Sequence, residues 1–304
     1  MIAAAVLAAL AMGCVLAAKR LTAAKWTHRA PHIGILLWQA IGVAWGLATI
    51  GALLAFALEP YGKGVFYGMA AMVTAPEYGG VESPHDVARL TALVLGLALL
   101  AVLIAVPIVA AVQTLRARRR HRDLLALIAR EDPSVPGVRV VDFPAAAAYC
   151  VPGLKSQVVI SDGTLSLLSP GELDAVLAHE AAHVRERHDL VLLPFGALRR
   201  ALPWSGLVRD AQASVELLVE MAADDRARQR CCPKRLASAL LRFGTAAVPV
   251  PQGALGASAA ESVMARVERL LRPQSALPPA QRFLLLAASV ALAASAPALW
   301  FLPG

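Results

Sequence analysis

Charge is scarce in this sequence. Asp, Glu, Lys and Arg make up 16% of its 304 residues, while 58% are hydrophobic. Soluble globular domains carry charge at roughly a quarter of their positions, so the shortage excludes an ordinary soluble domain and points to a membrane protein. Cysteine is also thinly used. Cys14 lies in the first apolar run, and Cys150, Cys231 and Cys232 fall in the part that the charge pattern below places in the cytoplasm, where thiols stay reduced, so no disulfide framework is expected; the adjacent Cys231–Cys232 lacks C-x-x-C spacing and is a poor metal pair. No basic residue precedes the first apolar run, and Lys19–Arg20 follow it. That charge order argues against a cleaved signal peptide and suits an N-out anchor. No internal repeat or low-complexity linker divides the chain. Basic residues cluster at the ends of apolar runs and not on one folded face, so the net charge of +8 gives no reason to expect nucleic-acid binding.

What is abundant is long apolar sequence. Four uncharged runs stand out, Ile2–Ala18, Ile33–Leu58, Leu90–Val112 and Phe283–Leu302. A helix needs about 20 apolar residues to cross a bilayer core; the last three meet that length and the first sits at its short limit. The connection after the first run carries Lys19, Arg20, Lys25 and Arg29 and no acid. The next connection is acidic, with Glu59, Glu77, Glu82 and Asp86 against Lys63 and Arg89. LRARRRHR follows the third run and Arg282 abuts the fourth. The positive-inside rule therefore predicts a membrane region over residues 1–113 with three spans, a cytoplasmic domain over 114–282, a fourth span over 283–304, and both termini outside. The external segment GVFYGMAAMVTA (64–75) is too short to span, and reads either as an interfacial helix or as a packed loop helix.

Within 114–282, RDLLALIARED (122–132) reads as a short amphipathic helix ended by Pro133. VRVVDF (138–143) and SQVVIS (156–161) read as strands, with AAAYC (146–150) a weaker third, and GLKS and SDG supply turns. Ser169, Pro170 and Glu172 then mark the start of a helix by capping box and N1 proline. Further helical runs cover about 205–230, ALLRFGTAA and ESVMARVERLL. A small sheet followed by helices predicts an α+β domain.

The first of those helices carries His179-Glu180-Ala-Ala-His183. Residues four apart on a helix differ by about 40° around its axis, so both imidazoles project from one face and can grip one ion. Glu180 lies about 100° further round, beside the ion, where a general base is needed. This is the H-E-x-x-H pattern of two zinc ligands and a base. His188 falls about 180° from His179 if the helix continues, so it is expected to face away, as a solvated or interface residue. For a third ligand the better candidate is Glu220, four residues before Asp224 on a later helix. Asp224 can accept from a ligand histidine and fix its tautomer. Glu216 shares the stripe and is the rival ligand. Tyr149 and several arginines are available as oxyanion donors, with no spacing to choose among them. The VVIS strand is either an exposed edge that could align a peptide or an interior strand.

HEAAH followed by E-M-A-A-D-D-R-A resembles the E-x-x-A-D-x-x-A block of gluzincin membrane metallopeptidases. With the preceding residues from about 145, it is similar to the BlaR/MecR-type family of membrane sensor–transducers, and more loosely so in the four-span layout. The resemblance implies an α+β gluzincin-type domain inserted in a four-helix transmembrane region, with zinc ligands His179, His183 and Glu220, base Glu180 and supporting Asp224. It also implies cleavage of a cytoplasmic winged-helix repressor of the penicillinase-repressor type, or self-cleavage. Those sensor–transducers carry an external penicillin-binding domain after the last span. Here the sequence ends at Gly304, so the expected input is a membrane or envelope signal. Two other readings compete: a membrane quality-control protease of the HtpX type, which would share the site, and a non-enzymatic membrane receptor or scaffold, which would not need Glu180.

Overall fold

The computed structural model describes residues 1–62, 64–74, 83–132, 137–151, 157–246, 256–272 and 275–302. The expected GLKS turn, the proposed helix stop at Pro133, and Lys63, Glu77 and Glu82 lie outside these. The chain divides into two compact units: Met1–Val109 with Arg199–Ala211 and Leu277–Gly304, and Ala110–Leu198 with Gln212–Ala276.

The first unit is helical. It contains α1 (Ile2–Thr22), α2 (Pro31–Ala57), α3 (Gly64–Thr74), the first part of α4 (Pro84–Ile128) and α11 (Pro279–Leu299). By length and composition α1, α2, α4 and α11 can each cross a membrane. α2 packs against α1 and α11, and its buried Ala48, Ile50 and Leu54 share one cluster with Ala3 and Leu7 of α1 and Ala296 of α11. Gly51 is required there: a Cβ would stand 2.1 Å from Trp300 Nε1, which donates to the Leu47 carbonyl. α3 buries Val65 and Gly68 and exposes Phe66 and Tyr67.

The expected short helix at 122–132 is instead the end of α4, and Ala129–Glu131 form strand β1. LRARRRHR contains neither Gly nor Pro, and arginine is a good helix former, so nothing stops the helix after the apolar run.

The second unit holds a four-stranded sheet with β2 (Val138–Val141), β3 (Ala148–Val151) and β4 (Gln157–Ser161), in the order β1-β2-β4-β3. β2 and β4 run parallel, while β1 and β3 pair antiparallel to their neighbours. The VVIS strand is therefore interior, with Val159 and Ile160 buried, and β3 is an edge among the described strands. SDG is not a free turn. Ser161 caps the short helix α5 (Asp162–Leu167), its hydroxyl accepting from the Thr164 N–H.

Helix α6 (Pro170–Arg185) starts where the capping signals place it. The Glu172 carboxylate accepts from the Ser169 N–H and hydroxyl at 2.9 and 2.8 Å. The Ser238 hydroxyl and the Ser169 N–H together hold the Glu172 carboxyl down to about 2. α6 lies on β3 and β4 with one face and on α9 (Pro233–Ala246) with another. Leu173 and Val176 join Val140 and Ile160 in one cluster, and Ala175 joins Leu236, Val267 and Leu270 in a second. α7 (His188–Ala201), α8 (Gly206–Ala227) and α10 (Gly256–Leu271) complete the helices. The buried faces of α6 leave the side carrying His179, Glu180 and His183 turned to a cleft.

Candidate metal centre

Helix α6 presents His179 and His183 one turn apart, and α8 brings Glu220 to them. His179 Nε2 and His183 Nε2 are 3.0 Å apart, and Glu220 oxygens lie 3.3 Å from the first and 3.4 Å from the second. Zinc with ligand bonds of about 2.0–2.1 Å in tetrahedral geometry sets its ligand atoms about 3.3 Å apart. Two imidazole nitrogens and a carboxylate at these separations fit zinc in number, type and spacing. Glu180 is half-buried and lines the same cleft of about 670 Å³, together with Tyr149, His188 and Leu192. Glu216 stands elsewhere. It is exposed and accepts from the Gln212 amide at 2.7 Å.

Asp224 Oδ1 lies 3.0 Å from His179 Nδ1, a close approach without the alignment of a full hydrogen bond. Asp224 is almost wholly buried, and a buried carboxylate requires a partner charge. The Arg266 guanidinium supplies it, donating from Nε and Nη2 to the two Asp224 oxygens at 2.8 Å each, while Nη1 reaches Glu220 at 2.8 Å. Arg269, one turn on, donates to Asp225.

These charges set the proton affinities. Burial pulls His179 down, but Asp224 and Glu220 outweigh it and raise the imidazole to about 9. Burial dominates at His183 and lowers it to about 4. Burial would raise Glu220, yet His179 and Arg266 hold it at about 2. Asp224 is likewise lowered, burial opposing and Arg266 and His179 prevailing. Near neutral pH the cluster therefore offers a carboxylate and a neutral imidazole as donors, and His179 must release a proton to ligate a metal.

Two residues escape the sequence reading. Arg266 sits on the inward stripe of α10, between the half-buried Val263 and the buried Val267 and Leu270. An arginine on an otherwise apolar helical stripe was the available signal, because a buried guanidinium implies a buried carboxylate. His188 is the second, and there the expectation is corrected. It is buried, lines the cleft, and places Nδ1 3.0 Å from His183 Nδ1. The helical wheel fails because the helix ends first: α6 stops at Arg185, and Arg187 has φ 52°, so the chain turns back before His188.

Residues 111–214 match the model of Peptidase family M48, a family of zinc metallopeptidases. The matched span contains the His179–His183 helix and stops short of Glu220, Asp224 and Arg266. A "Protease HtpX homolog" of Thermoplasma acidophilum is 38% identical over 58 residues, 19% of this chain and 18% of the relative. A second, of Aeropyrum pernix, is 37% identical over 78 residues, 23% of this chain and 24% of the relative. The chain thus spans less than a quarter of the length of these curated relatives. No solved structure matches. The expectations of a metallopeptidase and of zinc are borne out by the family match. The likenesses support peptidase family M48 and HtpX homologues, a coarser placement than the BlaR/MecR type.

Proposed function

We propose that this chain is an integral-membrane zinc metalloendopeptidase. The observation that carries the reading is the meeting of His179, His183 and Glu220 within 4.8 Å of one another, on the wall of a cleft that also holds Glu180. Two histidines from one helix and a glutamate from a later helix, with Asp224 one turn further on, is a gluzincin-type arrangement. Zinc, when bound, supplies Lewis acidity, making a water acidic near neutral pH and polarising a peptide carbonyl. The remaining work belongs to the chain. His179, His183 and Glu220 hold the ion, and Asp224 orients His179. Glu180 takes the proton of the attacking water and returns it to the leaving amine, a role that contributes about 10²–10⁴ in rate. Edge strand β3 lines the cleft through Ala148, Tyr149 and Val151, and its outer backbone edge can pair with an extended polypeptide.

The charge pattern around the four apolar helices supports a topology with residues 114–282 cytoplasmic and both termini outside. The bilayer is then the first partner and a protein or peptide substrate the second. Substrate breadth separates two forms of the reading. The likeness to proteases described as HtpX homologues favours a quality-control protease acting on many polypeptides. Cleavage of a single penicillinase-repressor-type repressor is the narrower form, supported by the sequence likeness around the site.

The test uses the full-length chain in detergent. Wild type should bind one zinc and cut an unstructured polypeptide. Glu180→Gln should retain the zinc and lose about 10²–10⁴ in rate. A wild type without stoichiometric zinc after supplementation defeats the reading. In cells, many polypeptides accumulating in the Gln variant supports the broad form, and loss of one repressor with wild type alone supports the narrow one.

A further inference from the structure

Every histidine that binds a metal through one nitrogen must settle the proton on the other, and a partner to that nitrogen fixes ring and tautomer. His179 has Asp224 for this. Among the described residues no carboxylate is recorded at the His183 Nδ1; His188 Nδ1 stands there at 3.0 Å. The rings meet edge-on, with centroids 4.9 Å apart and planes at 81°. Since His183 Nε2 faces His179 and Glu220, its lone pair must stay free for the ion. The His183 proton then lies on Nδ1 and is donated to His188 Nδ1. His188 must carry its own proton on Nε2, and that nitrogen stands 3.3 Å from Glu186 Oε2. Arg226 Nε lies 3.7 Å from the other Glu186 oxygen. Each atom in the series has the donor or acceptor its neighbour requires.

The backbone supports the same assignment. Arg187 is the only non-glycine residue with positive φ among the described residues. Left-handed backbone is unfavourable at a non-glycine side chain, and such strain collects where a site requires it. Here it follows the helix end directly and swings His188 back against α6, where it is buried.

We propose that His188 is the positioning residue of the metal centre, holding His183 in the tautomer and orientation that present Nε2 to zinc, with Glu186 holding His188 in turn. The inference rests on the zinc reading above. The experiment measures zinc affinity of the full-length protein in detergent by competition with a chelator of known affinity. His188→Phe keeps the ring volume and removes both nitrogens; His188→Asn keeps an acceptor where Nδ1 stood. Loss of such a partner typically weakens metal binding about 10–100-fold, so Phe should show that loss and Asn should stay within about threefold of wild type. A structural role alone would lower the melting temperature of the zinc-free protein in both variants and leave affinity unordered between them. Phe binding zinc as tightly as wild type overturns the inference, and so does Asn losing tenfold; the Asn arm stands even where Phe does not fold. A wild type that binds no zinc instead overturns the metal reading itself.

Discussion

Behind His179 stands a buried ion cluster in which Asp224 is gripped by Nε and Nη2 of the Arg266 guanidinium and Glu220 shares the same cation through Nη1. Behind His183 stands a second imidazole, His188, backed by the half-buried Glu186. The first arrangement ties three helices together with full charges deep in the protein. The second uses residues of one chain segment folded over a strained turn. The difference separates two tasks that a metal centre must meet. On the proposed zinc reading, charges at His179 would assemble the site from distant segments, and the local contact at His183 would aim a ligand already in place.

The contrast predicts unequal penalties. Arg266→Met removes the cation from a carboxylate with about 1% exposure, and breaking a buried pair from one side costs about 3–5 kcal/mol. His188→Phe strands no full charge and should cost clearly less. Thermal unfolding of the two zinc-free variants in detergent checks this. Equal losses would mean that the ion cluster does not hold the helices together, and the division of tasks would fall.

The same contrast explains what the sequence shows. The His179 side was legible as far as periodicity carries: positions four apart on uninterrupted helices put His179 beside His183 and Glu220 beside Asp224. The capping box fixed where α6 begins for the same local reason. Arg266 was not legible, because it arrives from a helix 42 residues beyond its partner and only tertiary packing joins them. His188 was misplaced because the wheel assumed a helix that a left-handed residue ends, and nothing in Arg-Glu-Arg-His marks that stop as a glycine would. In the sheet, strands were visible as β-branched runs, but their order was not, since interior and edge strands of this length carry the same pattern. The missing stop in LRARRRHR was readable in hindsight from its composition.

A middle-sized effect sharpens the His179 side. Asp224→Asn keeps the shape of the side chain and removes its charge. His179 then loses the partner that favours its metal-binding orientation, and zinc affinity should fall about 10–100-fold, by the same chelator competition. Because Arg266 would keep Glu220 as an anion, the protein should remain folded. An Asn variant with wild-type affinity would show that Arg266 and Glu220 alone organise that half of the centre.

The smallest effect is expected one turn away. Glu216 lies on the same stripe of α8 as Glu220, offset by four residues, or about 6 Å along the axis. That offset exceeds the separation that one zinc tolerates between its ligand atoms. Its carboxylate is exposed and already accepts from Gln212, whereas Glu220 reaches both His179 and His183. Glu216→Ala should therefore change stability by no more than about 0.5 kcal/mol and leave zinc affinity untouched. Glu220→Ala in parallel should lose most of the metal. If the alanine at 216 strips the zinc and the one at 220 does not, the third ligand lies one helical turn earlier. Asp224 and Arg266 would then be a structural ion pair standing beside the metal, with no part in holding it.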